Sequence, residues 1–223
     1  MGCSGASEGG ELLFVRIPKN ASATLYEAFG ESNVLCRDYA EYADKVPDEW
    51  ALGIYEKSHI SLKMAVAFLG ERVLDLSVVV CSRNPYDRLV SMYSFAVTRG
   101  LIKVYSDKSH VTFDVFVEDV IARGKVDPMF FPGLRQVDWL DEEIRSIFHI
   151  QYENLVQDYL MVCDMLGIKA VEKLPHHNRV RRAEWQRYYS PETAKLVYDY
   201  YKEDFEAFNY DKEIDHERTQ LAM

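Results

Sequence analysis

Apolar positions in this chain fall into two patterns. Uninterrupted runs occur in "ELLFVRI" (11–17) and "DLSVVVCSR" (75–83), and the β-branched continuity of the second predicts a strand covered on both faces, as in a parallel sheet. Shorter strand-like pieces are "ALGIYEK" (51–57) and "IFHIQY" (147–152). Elsewhere apolar residues recur at helical spacing, which predicts helices over 22–29, 61–69, 85–99, 112–123, 139–146, 153–166 and 191–207. Gly30, Gly70 and Gly100 stand just past the first three, where helices commonly stop. Strands alternating with helices predict an α/β fold: one domain with a parallel central sheet, right-handed crossovers and helices on both faces. That domain is expected over 11–210, between a flexible N-terminus (1–10) and a C-terminal tail (211–223). In such sheets ligands gather at the carboxyl ends of the strands.

Two strand ends carry unusual residues. The first empties into "PKNASAT", where the small side chains of Ala21, Ser22 and Ala23 would let an anion approach the backbone N–H groups. Ser22 and Thr24 add hydroxyls, and Lys19 adds a mobile cation. The logic is P-loop-like, although the glycines of GxxxxGK(S/T) are absent. On the residues alone, a capped helix beside a solvated lysine is an equal reading. The second strand ends in "SRNPYDRLVSMYSF". Asn84 suits an N-cap, Pro85 the first helical position, and Asp87 stands three residues after the cap. Leu89, Val90, Tyr93, Ala96 and Val97 form an apolar stripe, with Asp87, Arg88, Ser91 and Ser94 off it. Arg83 and Ser91 could clasp a second phosphate. A structural ion pair and a serine on a solvated face remain the plainer alternative.

Composition narrows the partners. The 223 residues carry a formal net charge of −10, which disfavours nucleic acid as a partner and leaves room for a small anion in a local basic pocket. Cys3, Cys36, Cys81 and Cys163 have no metal-binding spacing, so reduced thiols in a cytosol-like compartment are expected. No apolar run is long enough for a bilayer, and "MGCSGASEGG" lacks the pattern of a secretory signal. Carboxylates and histidines form no clear cluster, so no metal is expected.

Taken in order, the two strand ends resemble one family. "IPKNASATL" is similar to the 5′-phosphosulfate loop of sulfotransferases that use PAPS (3′-phosphoadenylyl sulfate). "VVVCSRNPYDRLVSMYSF" is similar to their 3′-phosphate-binding strand-turn-helix. The nearest type is the carbohydrate sulfotransferases, those acting on hexuronic acid at the 2-O position and their small soluble relatives. "RQVDWL", "HIQYENLVQDYLMVCDMLGI" and "LPHHNRVRRAEWQRYYSPETAKLVYDYYKEDFEAFNY" fit the same pattern, so the resemblance spans about 11–210.

The resemblance implies transfer of a sulfuryl group from PAPS to a hydroxyl, expected to belong to a sugar or glycan, with PAP as product and no metal. By that analogy Lys19 contacts the 5′-phosphate and bridging oxygen, and Asn20, Ala21, Ser22, Ala23 and Thr24 wrap the phosphosulfate. Arg83 and Ser91 hold the 3′-phosphate, and Arg181 and Arg182 close over the nucleotide. The family's catalytic histidine falls at His59, a general base whose ordinary pKa of about 6.5 would suit neutral pH. Lys57 stands where those relatives often carry a second histidine. Two other readings stay open: a nucleotide-dependent phosphoryl transferase, and a non-catalytic module binding PAP or another anion. Animal relatives are Golgi proteins with a membrane anchor. Without one, a cytoplasmic enzyme with no membrane association is expected, unless the chain is an excised catalytic domain.

Overall fold

The computed structural model describes residues 11–34, 59, 61–127, 130–141, 147–175 and 182–214. Among these, three strands form one parallel sheet in the order β1 (Leu12–Val15), β2 (Ser77–Ser82), β3 (Ile147–Gln151). Leu13 pairs with Val78 and Val15 with Val80, while Val80 in turn faces His149 and Ser82 faces Gln151. Helices alternate with these parallel strands along the chain, so the α/β class read from the alternation of patterns is the observed one. The strand predicted over 51–57 lies outside the described residues.

Among the described residues the α-helices are α1 (Ser22–Phe29), α2 (Leu62–Leu69), α3 (Pro85–Thr98), α4 (Ile102–Tyr105), α5 (Phe113–Val126), α6 (Leu155–Met165) and α7 (Pro191–Ala207). Most fall within a few residues of the predicted spans. Of the span 139–146, the described part is not α-helical: Val137–Trp139 forms a 3-10 turn, and 142–146 lie outside the described residues. The one-turn α4 follows Gly100 and carries no pattern long enough to read.

The residues group into two compact units, each made of two chain segments. The first combines the chain up to Ser82 with Trp139–His177 and contains the sheet. One sheet face is sealed by α1 and α6: Leu12, Phe14, Val79, Cys81 and Ile150 pack with Leu25, Ala28, Phe29, Tyr159 and Val162. Phe29 lies 5.6 Å from Phe14 and 5.4 Å from Tyr159, ring to ring. Tyr159 keeps its buried hydroxyl satisfied, donating to the Ala28 carbonyl and accepting the Val171 N–H.

The second unit combines Arg83–Asp138 with the chain from Asn178 onward. Its centre is α3, packed by α5, α7 and the Trp185–Tyr188 turn. The predicted stripe of α3 is only part of its buried surface. Leu89, Val90 and Ala96 are buried as expected, but so are Asp87, Arg88 and Ser94, while Val97 is half exposed. Arg88 finds a partner there, its Nη1 donating to the Leu134 carbonyl at 2.9 Å, whereas the buried Ser94 Oγ has no hydrogen-bond partner among the described residues.

Candidate functional site

The loop after β1 holds two non-glycine residues at positive φ. Lys19 (φ 72°) and Ala21 (φ 53°) both occupy the left-handed region, which costs a non-glycine residue about 1 kcal/mol or more. Ala21 is the N-cap of α1 and supplies no side-chain acceptor. The first N–H groups of α1 therefore gain nothing from a capping side chain, the condition under which a helix N-terminus attracts an anion. Asn20 does not point its amide outward. It is fully buried and donates from Nδ2 to the Cys81 carbonyl at 2.7 Å, tying the loop to the end of β2. Thr24 donates its hydroxyl to the Pro175 carbonyl at 3.1 Å. Ser22 is buried, and Ala23 and Lys19 are partly exposed.

His59 belongs to the same unit. Its Nδ1 lies 2.7 Å from the carbonyl oxygen of Arg16, the residue just after β1. A carbonyl only accepts, so Nδ1 carries the proton and the basic nitrogen of the neutral ring is Nε2. Burial, with the charges of Arg16 and Lys19 adding to it, pulls the imidazole pKa down from 6.5 to about 3; the bond to Arg16 opposes the shift without overcoming it. The ordinary pKa expected from the sequence is therefore corrected: His59 is neutral throughout the physiological range, held there first by burial and then by two cations. The Arg16 guanidinium lies over the Tyr26 ring at 4.3 Å. A second histidine, His149 on β3, bonds through Nε2 to Ser82 Oγ at 2.6 Å, and its pKa is lowered by burial.

In the second unit the structure brings Arg83 and Arg182 to one carboxylate. Asp87 Oδ2 accepts from Arg83 Nε (2.8 Å) and Nη2 (2.6 Å), and Asp87 Oδ1 accepts from Arg182 Nη2. The Arg83 backbone is clamped as well: its N–H donates to Gln136 Oε1 and its carbonyl accepts from Gln136 Nε2, both at 2.9 Å. Gln136 is held in turn by Asp204, which takes the N–H groups of Gln136 and Val137 at 2.8 and 2.9 Å. Burial pushes the Asp204 carboxyl up to about 6 despite those bonds. The helix cap is as read, with Asn84 Oδ1 accepting the Tyr86 N–H. Ser91 stands two turns along α3, partly exposed. Arg181 and Lys57 lie outside the described residues.

The family model described as the sulfotransferase family matches residues 7–211. The chain belongs to the sulfotransferase family. Membership supports a transferase that moves a sulfuryl group to a hydroxyl-bearing acceptor. No curated protein and no solved structure matches the chain. Among the described residues of this sulfotransferase, no helix is long and apolar enough to cross a membrane, and no His, Cys, Asp or Glu group is arranged to hold a metal ion.

Sequence reading passed over Arg16, Gln136 and Asp204, and it placed Asp87 only three residues after the Asn84 cap. For Gln136 the signal was present as "RQVDWL", a motif with no chemistry attached to it. Asp204 lies within the tyrosine-rich helix, where nothing sets it apart from the other acidic residues of a solvated face.

Proposed function

We propose that this sulfotransferase moves the sulfuryl group of PAPS to a carbohydrate hydroxyl, with His59 as general base and Lys19 at the leaving phosphate. The observation that carries the reading is the His59–Arg16 bond at the end of β1. It fixes the tautomer, so Nε2 is the atom available to chemistry, and it keeps the ring beside the Lys19 loop, whose charge it feels. In the proposed reaction the acceptor oxygen forms a bond to sulfur while the bond from sulfur to the bridging phosphate oxygen breaks. His59 Nε2 takes the acceptor's proton, and the departing electron pair stays on the phosphate of PAP. Lys19 and the first N–H groups of α1 meet that growing charge with preorganised donors. Arg83, Ser91, Arg182 and, from the resemblance alone, Arg181 are assigned to the rest of the nucleotide.

Turnover of labelled PAPS across a panel of sugars and glycans tests this reading. His59→Ala should lose about 10²–10⁴-fold in kcat, the usual reach of a general base, and still bind PAP. Lys19→Ala should likewise lose more turnover than PAP affinity, because the backbone donors remain. With the His59 pKa at about 3, kcat/KM should run flat through pH 6.5, without an imidazole limb. Absence of transfer to every acceptor, or a His59→Ala enzyme of unchanged rate, would remove the proposal.

A further inference from the structure

Arg182 and Asp87 are 95 residues apart in the chain, yet they meet on α3. Asp87 spends one oxygen on the Nε–Nη2 edge of Arg83 and the other on Arg182. The forked contact fixes the plane of the Arg83 guanidinium, as a single bond could not. All three side chains are largely buried: Asp87 is 10% exposed, Arg83 6% and Arg182 18%. The cluster of two cations and one anion keeps one positive charge. Removing the carboxylate would leave two buried guanidiniums repelling each other with no common anchor.

We propose that Asp87 is a positioning residue for the 3′-phosphate of the nucleotide, aiming Arg83 and Arg182 at a single anionic group. The inference rests on the PAPS reading above. Asp87 touches no substrate itself. It works through the two arginines, while Gln136 locks the Arg83 backbone from the other side. A bystander carboxylate makes the opposite prediction, since Coulomb repulsion alone would make its removal tighten phosphate binding.

The test is calorimetric titration of wild type, Asp87→Asn and Asp87→Glu with PAP and with ADP, which lacks the 3′-phosphate. Circular dichroism of each variant serves as the check on folding. Asp87→Asn should bind PAP about 10- to 100-fold more weakly, the equivalent of one or two lost charge-assisted bonds, with ADP affinity little changed. Asp87→Glu should fall between wild type and Asp87→Asn, because it keeps the charge but displaces the fork. If Asp87→Asn does not fold, the ratio of PAP to ADP affinity in Asp87→Glu decides: a reduced ratio supports positioning, and an unchanged ratio overturns it. Unchanged or tighter PAP binding in Asp87→Asn also overturns it, leaving the PAPS reading intact. Equal affinity of the wild type for PAP and ADP is the different failure: the 3′-phosphate assignment itself falls, and this inference with it.

Discussion

His59 shows how far one side chain is set by its surroundings. An unfolded imidazole binds a proton near pH 6.5, whereas in the folded chain it does so near 3. Between those values the unfolded state holds more protons. The contribution of His59 to stability is therefore fully present above pH 6.5 and is lost as pH falls toward 3, by at most about 1.4 kcal/mol per pH unit. Asp204 slopes the other way: its raised pKa of about 6 makes its contribution complete below the ordinary carboxylate range and lost as pH rises through 6. The two oppose each other between about pH 4 and 6, so the wild-type profile alone is uninformative there. Urea unfolding of wild type and His59→Asn at several pH values should separate them. The stability difference between the two proteins should change across this window in the direction that makes wild type relatively weaker in acid. Parallel profiles would mean that His59 titrates normally.

At the scale of elements, the β1–α1 connection is the least ordinary piece of backbone. Two non-glycine residues in left-handed conformations, followed by an uncapped helix, are locally unfavourable. The Asn20 bond to the Cys81 carbonyl and the Thr24 bond to the Pro175 carbonyl hold the loop in that shape. Such strain is tolerated where the surrounding structure over-determines it, and the proposed phosphosulfate site is a physical reason to keep it. Ala21→Gly relieves the Cβ clash but loosens the unfolded chain, so the two effects should nearly cancel, within about 1 kcal/mol. Ala21→Val places a β-branched residue at positive φ and should cost about 1–3 kcal/mol. Denaturant midpoints of the two variants check this directly; a valine as well tolerated as glycine would contradict the positive φ.

For the whole molecule, the chain order matters as much as the sheet. Each compact unit is built from two separate segments, and the chain changes unit between 82 and 83, 138 and 139, and 177 and 178. A fragment ending at Asp138 lacks β3, the ladder partner of β2, and α6, which contributes Tyr159, Val162 and Cys163 to the core against the sheet. Residues 1–138 alone are therefore expected to remain without cooperative unfolding and to be cut rapidly by protease, while the full chain unfolds in a defined transition. A cooperative transition in the fragment would show that β1 and β2 need neither element. The net charge of −10 acts at this scale too. The anionic substrate proposed above would meet overall repulsion, which the cations assigned to its site, Lys19, Arg83 and Arg182, would overcome at short range.

What the amino-acid sequence determined by itself is the local part. The apolar runs of β1 and β2, the Asn84–Pro85 start of α3 and the helical spacing of α5, α6 and α7 are short-range patterns, written within one or two turns of the residues they govern. The small-residued loop with Lys19 was legible for the same reason. What only the tertiary structure decided is partner choice and environment. Asp87 reads as a first-turn residue three after the Asn84 cap and becomes the anchor of Arg83 and Arg182; Gln136, 53 residues from Arg83, clamps that residue's backbone. Arg16, 43 residues from His59, fixes its tautomer and helps to suppress its charge. Periodicity and capping depend on neighbours along the chain. A hydrogen-bond partner or a shifted pKa depends on which distant segment returns to the same place and how much water it excludes.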